Sequence, residues 1–273
     1  MPRLSVNETT TYRWTFDQDV AQLAELGFRA VGLWRQKLAD IGDRRGIELL
    51  AASGLRVSNV CWAGGFTGSD GRPPAESIAD AVEAIRLTAE LEADCLVVYS
   101  GSRAGHTHSH ARRLFRYAID QLLPIAEQQQ VTLAIKPVHV ELSCEYAFLT
   151  TLAETLDLLQ TYDHPKIRLA FDTYHMGWDT DVPHRLAEIA PWVAIVHLGD
   201  GHPPTAGEVH RSRLGHGLVP LKEIVTALEQ GGYSGYYDIK LVGMPVEPAD
   251  YRDLLIHSRS QAGELLAAFS LEG

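Results

Sequence analysis

VTLAIKPVH (131–139) is an apolar run that stops at a lysine and a proline. Its first five residues have the length and composition of a buried strand. A second run, YYDIKL (236–241), lies near the other end of the chain, and it also carries a lysine, Lys240, at the end of a predicted strand. The two runs therefore predict strands that each place a charged side chain at a strand end.

Similar apolar runs alternate with helical patterns along the whole chain. Besides the two runs quoted above, they are LSVNE (4–8), AVGLW (30–34), VSNVCW (57–62), CLVVYSG (95–101), RLAFDTYH (168–175) and VAIVHLGD (193–200). Eight strands, each followed by a helix, predict an α/β fold in which a parallel sheet closes on itself. We expect a single (β/α)8 TIM barrel over residues 1–273. An open doubly wound sheet would have a G-x-G-x-x-G phrase after the first strand, and the sequence has none.

Composition narrows the class of partner. The formal charge is −11, whereas nucleic acids and anionic membrane surfaces attract basic proteins, so we expect neither as a partner. Three cysteines without a motif indicate reduced thiols. With no apolar run of about 18 residues and no signal-type N-terminus, the sequence predicts a cytoplasmic protein.

Polar and aromatic side chains collect at the predicted strand ends, which is where the active site of such a barrel lies. They are Trp34, Trp62, Lys136, Asp172, His175, His197, Asp200 and Lys240. Unpaired buried charge is costly, so this many polar residues on consecutive strands predict a functional site rather than packing.

Several phrases resemble those of the xylose isomerase-like TIM-barrel family, in its sugar phosphate isomerase/epimerase-like branch. The phrases are GGFTGSDG (64–71), LVVYSG (96–101), FDTYH (171–175), HLGDG (197–201) and the turn Gly215-x-Gly217. The family includes sugar isomerases, ketose 3-epimerases, inosose dehydratases and endonuclease IV. The resemblance implies a small carbohydrate, polyol or keto-acid ligand, and a homo-oligomer, since family members are often dimers or tetramers.

The resemblance also implies roles for particular residues. In that family a divalent metal is held by Glu on the fifth strand, Asp on the sixth, His on the seventh and Glu on the eighth, and the two glutamates move the substrate proton. The Asp corresponds to Asp172 and the His to His197. The substrate-contacting His corresponds to His175, and an Arg before the G-x-G turn corresponds to Arg211.

Both family glutamates are replaced by lysine, at Lys136 and Lys240. A charged lysine has only hydrogen-bond donors and cannot ligate a cation. Three carboxylates and a divalent ion sum to −1, whereas two lysines and one aspartate sum to +1. We therefore expect no metal and no other cofactor at this position, with the two ammonium groups neutralising Asp172.

Two hypotheses follow from the lysines. In the first, Lys136, Lys240 and Asp172 are catalytic: a lysine acts as acid/base or forms a Schiff base, while His175, His197, Arg211, Trp34 and Trp62 bind a sugar. In the second, the barrel binds a sugar without catalysis or serves as a non-catalytic subunit, and Lys136–Asp172–Lys240 is a structural salt-bridge network.

Overall fold

The expected barrel is present in the computed structural model, which describes residues 3–144, 146–179, 181–205 and 207–267. Its strands are β1 Leu4–Asn7, β2 Ala30–Trp34, β3 Arg56–Ala63, β4 Leu96–Val98, β5 Leu133–Ile135, β6 Ile167–Asp172, β7 Val193–Leu198 and β8 Tyr237–Ile239. Neighbours in chain order pair in parallel, and β8 pairs with β1 to close the ring. The (β/α)8 TIM-barrel prediction is confirmed.

Helices surround the barrel. They are α1 Phe16–Glu25, α2 Arg35–Ile41, α3 Asp43–Ser53, α4 Pro74–Glu90, α5 His108–Gln128, α6 Leu152–Tyr162, α7 Thr173–Met176, α8 Val182–Ile189, α9 Leu221–Gln230 and α10 Tyr251–Ala267. Within the described ranges, none has the length and apolar character that crossing a bilayer requires.

Local signals set the helix boundaries. Thr15 and Gln18 form a capping box at the start of α1, since each side chain bonds the other's backbone N–H. The Thr151 hydroxyl likewise accepts the N–H of Glu154 at the start of α6. These contacts satisfy backbone donors that the first turn of a helix leaves free.

Two apolar layers hold the barrel together. The outer layer lies between strands and helices and includes Leu23, Phe115 and Leu228, all inaccessible to solvent. The inner layer fills the barrel with smaller groups such as Val97 and Ala170. Successive strand residues point to opposite faces, so near-continuous apolar strands supply both layers.

The phrase FDTYH (171–175) departs from the strand predicted for it. The strand β6 ends at Asp172, and the next four residues form α7. The Asp172 carboxylate accepts the backbone N–H groups of Tyr174 and His175, which makes it the N-cap of this turn. The turn places His175 at the mouth of the barrel.

Candidate active site

A buried ion-pair network lies at the carboxyl end of the barrel. Lys136 follows β5, and its Nζ lies 2.6 Å from Asp172 Oδ2 and 2.6 Å from His197 Nδ1. Arg211, from a short hairpin formed by Asp200–Gly201 and Arg211–Ser212, binds the same carboxylate with both Nη atoms, at 2.9 and 3.2 Å. Asp172 therefore pairs with one ammonium and one guanidinium, and the three side chains together carry a net charge of +1.

The cation that pairs with Asp172 beside Lys136 is thus Arg211 rather than Lys240. The expected Lys136–Asp172–Lys240 network is wrong in its third member, because the planar guanidinium reaches both carboxylate oxygens at once. The side chain of Lys240 makes no hydrogen bond or ion pair with any residue that the structure describes. Only its backbone carbonyl takes part, accepting from Arg211 at 3.1 Å.

Burial and charge set the protonation states of this network. Burial alone would raise the pKa of the Asp172 carboxyl, but Arg211 and Lys136 together hold that pKa well below its usual value. Burial lowers the pKa of Lys136, and the Asp172 carboxylate opposes that change. Burial and the nearby lysines hold the pKa of His197 well below its usual range, so its imidazole is neutral.

A polar ladder continues from His197 into the barrel. With Nδ1 accepting from the Lys136 ammonium, the proton of the neutral imidazole is on Nε2, which lies 3.6 Å from Asp238 Oδ2. That distance is too long for a hydrogen bond, and His197 Nε2 has no hydrogen-bond partner among the described residues. The Asp238 carboxylate accepts instead from Ser5, Asn7 and Asn59 at 2.7–2.9 Å. The sequence reading missed this ladder, although YYDIKL places Asp238 two residues before Lys240 on the same strand face.

A cavity of about 570 Å³ opens above the network at the barrel mouth. Its polar and charged lining includes His175, Glu208, Arg211 and Lys240, and its aromatic lining is Tyr12, Trp34, Trp62, Tyr99 and Tyr146. Of the predicted site residues, the cavity thus brings together His175, Arg211, Trp34, Trp62 and Lys240. Lys136, Asp172 and His197 lie behind it and are inaccessible to solvent.

The tyrosines of this cavity were not among the predicted site residues. Tyr99 directly follows β4, so the strand-end rule applied to CLVVYSG would have identified it. Tyr12 and Tyr146 lie on loops far apart in the sequence, and no pattern in the chain connects them.

Asp200, a polar strand-end residue, has a structural role. Its carboxylate accepts the backbone N–H groups of Gly215 at 2.8 Å and Gly217 at 3.0 Å, and thereby holds the G-x-G turn. A Cβ at Gly217 would lie 2.1 Å from that carboxylate, so only glycine fits there. The motif therefore fixes the loop that carries Arg211.

A second buried cluster lies beneath Trp34. The carboxylate of Glu8, which directly follows β1, accepts the backbone N–H of Trp34 at 2.7 Å. Nearby, Asp19 forms an ion pair with Lys37. Burial, aided by the neighbouring Asp19 carboxylate, raises the pKa of Glu8 to about 8. Burial raises the pKa of Asp19 to about 6, although Lys37 opposes the shift.

This cluster makes stability depend on pH. Folded Glu8 keeps its proton up to a pH of about 8, whereas in the unfolded chain it ionises above about 4.5, so its contribution to stability falls as pH rises between these values. We expect Glu8→Gln to remove that loss. Between pH 5 and pH 8.5, the free energy of unfolding of the wild type should therefore fall by a few kilocalories per mole more than that of the variant. Urea unfolding at both pH values measures the difference. Glu48→Gln, at an exposed position, is the control. If the free energy of unfolding depends on pH equally in the wild type and in Glu8→Gln, the assignment is contradicted.

The chain is similar to known proteins in both sequence and structure. A sequence model described as xylose isomerase-like TIM barrel matches residues 20–261. Among solved structures, protein SMc04130 from Sinorhizobium meliloti 1021 is 27% identical, with a TM-score of 0.89 over 96% of this chain and 98% of that chain. None of the curated proteins matches the chain.

Two more distant structures share the fold. The IOLI protein, solved with a zinc atom, is 15% identical, with a TM-score of 0.84 over 98% of this chain and 99% of that chain. An L-ribulose 3-epimerase is 20% identical, with a TM-score of 0.78 over 98% of this chain and 95% of that chain.

Proposed function

The chain belongs to the xylose isomerase-like TIM-barrel family, and from this premise we propose that it is a sugar isomerase/epimerase-like enzyme. It moves a proton next to the carbonyl group of a small sugar or sugar derivative. The observation that carries the proposal is the side chain of Lys240, which lines the cavity without a hydrogen bond or ion pair among the described residues. A family scaffold alone does not fix the reaction, which depends on this side chain and its neighbours.

We assign the two lysines different roles. Lys136 is held by Asp172 and His197 at 2.6 Å each and is inaccessible to solvent, so it cannot approach a ligand without breaking both contacts. Lys240 lines the cavity together with His175 and Arg211. Lys240 is therefore the Schiff-base or acid/base lysine, and Lys136 supplies fixed positive charge.

The Schiff-base route conserves every atom. The amine of Lys240 forms a C–N bond to the substrate carbonyl carbon. The carbonyl oxygen takes one proton from that nitrogen and one from solvent and leaves as water, which gives a cationic iminium. That charge weakens the neighbouring C–H bond. A base takes that proton, a proton from solvent adds to the opposite face and inverts the carbon, and one water molecule then hydrolyses the iminium to release the product and the lysine.

Residues around Lys240 support these steps. Arg211 lines the cavity, and its guanidinium can stabilise the negative charge that forms on the carbonyl oxygen when the amine adds. His175 lines it too, and burial holds the pKa of its imidazole well below the usual range, so the ring is neutral. We assign His175 as the group that accepts the substrate proton, because it lines the same cavity as Lys240 and its neutral ring has a nitrogen lone pair.

We also propose that no divalent metal binds at the position used by the family. Lys136 Nζ lies between Asp172 Oδ2 and His197 Nδ1, the two side chains that match metal ligands, and these two atoms are themselves only 3.8 Å apart. Asp172 is already paired with two cations. Among the described residues, no group of three or more His, Cys, Asp or Glu side chains is arranged to hold a metal ion.

Metal removal tests this part of the proposal. We expect elemental analysis of the purified protein to find Mn, Mg, Co and Zn well below one per chain, and we expect a chelator to leave the thermal midpoint unchanged, because a lost metal would reduce stability. A stoichiometric metal whose removal lowers the midpoint, in wild type but not in Asp172→Asn, would place a metal at this position and overturn the assignment.

Borohydride trapping tests the chemistry. The protein is incubated with a panel of aldose and ketose sugars and reduced, and the modified peptide is identified by mass spectrometry. We expect the adduct on Lys240, and none on Lys136 or on exposed Lys222 under the same conditions. A sugar that binds in the cavity, is turned over and yet leaves no adduct on Lys240 would exclude the Schiff base and leave the acid/base role.

A second candidate function is supported by the buried network itself. Lys136 and Arg211 both bind the Asp172 carboxylate, and such a buried network could serve only to stabilise a sugar-binding barrel without catalysis. Under this alternative, sugars bind in the cavity but are not converted. Exchange of substrate hydrogen with deuterated water distinguishes the two, because proton transfer next to a carbonyl leaves deuterium in the sugar and simple binding does not.

A further inference from the structure

A second cavity, of about 720 Å³, adjoins the one that Lys240 lines. It lies between the start of α2, the glycine-rich loop 64–72 and α4, and we call it the cleft. Trp62, Tyr99 and Tyr146 line both spaces. Their rings adjoin, with centroids 5.8 Å apart for Trp62 and Tyr99 and 5.9 Å apart for Tyr99 and Tyr146. The cleft and the Lys240 cavity therefore meet at these three rings, which line both of them.

The floor of the cleft presents fixed donors and acceptors. The guanidinium of Arg35 binds both oxygens of Asp80, at 2.8 and 3.1 Å, and donates to the Trp62 carbonyl at 3.2 Å. Arg72 pairs with Asp70 at 2.6 Å and approaches Asp80 at 3.6 Å. These side chains stay partly exposed, so their remaining donor and acceptor sites face the cleft.

The charges of the cleft disfavour an anionic ligand. Its cations are Arg35, Arg72 and Arg86, and its anions are Asp43, Asp70, Asp80, Glu83 and Glu90. Each of the three arginines has a carboxylate partner within the described residues, Arg86 through Glu83. A phosphate or carboxylate ligand would meet a net negative surface. Sugar hydroxyls, by contrast, donate to carboxylates and accept from guanidinium groups, and the flat C–H face of a sugar packs against aromatic rings.

We propose that the cleft binds a second sugar unit, linked to the unit whose carbonyl group faces Lys240. The substrate class is then a disaccharide or other glycoside rather than a free monosaccharide. The inference deepens the proposed function and rests on it for the position of the reacting unit. Each cavity has the volume of an ordinary ligand site, about 300–1,000 Å³, so the two together accommodate two linked rings.

Binding measurements test the cleft separately from the chemistry. Calorimetry compares glucose with maltose, cellobiose and isomaltose on the wild type and on Glu83→Trp, which places a bulky ring at the cleft. We expect at least one disaccharide to bind about tenfold more tightly than glucose, and Glu83→Trp to remove that advantage while glucose affinity stays unchanged. Glu76→Trp makes the same substitution on the exposed face of α4 outside the cleft and should alter neither affinity.

A second variant adds no bulk and tests the cleft even if Glu83→Trp misfolds. Asp80→Asn removes a charged acceptor and should weaken the preferred disaccharide by about tenfold, again without changing glucose affinity. If glucose and every disaccharide bind with equal affinity, or if Glu83→Trp has no effect, the proposal that the cleft binds a second sugar unit is overturned. If glucose forms an adduct on Lys240 while no disaccharide is preferred, the proposed function stands and the cleft fails. If a disaccharide is preferred but no adduct forms and no substrate hydrogen exchanges, the cleft assignment stands and the proposed function fails.

Discussion

Lys240→Met is expected to abolish the borohydride-trapped adduct and to lower kcat/KM by up to about 10⁴-fold, the upper range for one acid/base group. The reason is that Lys240 is the lysine that lines the cavity, whereas Lys136 is enclosed by its partners. Since the Lys240 side chain makes no hydrogen bond or ion pair among the described residues, the free energy of unfolding should change by less than about 1 kcal/mol.

Matched variants separate charge from nucleophilicity at this position. Lys240→Arg keeps a cation in the cavity but has no free amine near neutral pH, so it should bind sugar and form no adduct. The measurements are mass spectrometry after reduction, steady-state kinetics and urea unfolding. An adduct that persists in Lys240→Met, or activity that survives in it, would move the reaction to another residue.

Lys136→Met should have the opposite profile, with a large loss of stability. Removing one partner of a buried ion pair leaves the other without compensation and typically costs about 3–5 kcal/mol. Arg211 remains on Asp172, so we expect the lower end of that range. The variant also leaves His197 Nδ1 without its donor at 2.6 Å. Urea unfolding measures the change in the free energy of unfolding.

The control for this variant is Lys222→Met, on the exposed side of α9, which should stay within about 0.5 kcal/mol of the wild type. Asp172→Asn provides a second comparison, and the Lys136→Met/Asp172→Asn double variant should be less destabilised than the sum of the two. A Lys136→Met protein as stable as the Lys222→Met control would mean that the network contributes little to folding.

The fold could be predicted from local patterns. VTLAIKPVH and YYDIKL indicated buried strands because parallel barrel strands are covered on both faces and are therefore almost wholly apolar. The cap at Thr15 likewise depends on residues only three positions apart, so it too is a local feature of the sequence. The end of β6 was predicted less well, since Asp172 caps the short α7 and ends the strand before His175.

Much of the site also followed from strand order. Strand ends in a closed barrel converge, so Trp34, Trp62, His175 and Lys240 were expected at one mouth and all line one cavity. Arg211 was expected only by resemblance, and it does reach this cavity. Its hydrogen bonds to Asp172 depend on a hairpin and on the turn held by Asp200, which strand patterns do not describe.

Sequence patterns alone specify the barrel, its strand ends and the two lysines that follow its fifth and eighth strands. Only the tertiary structure decided that Lys136 is enclosed by Asp172 and His197 while Lys240 faces the cavity. The physical reason is that hydrophobic periodicity specifies which face of a strand is buried. The partner of a charge at a strand end depends instead on side chains from distant strands and loops, which meet only when the barrel closes.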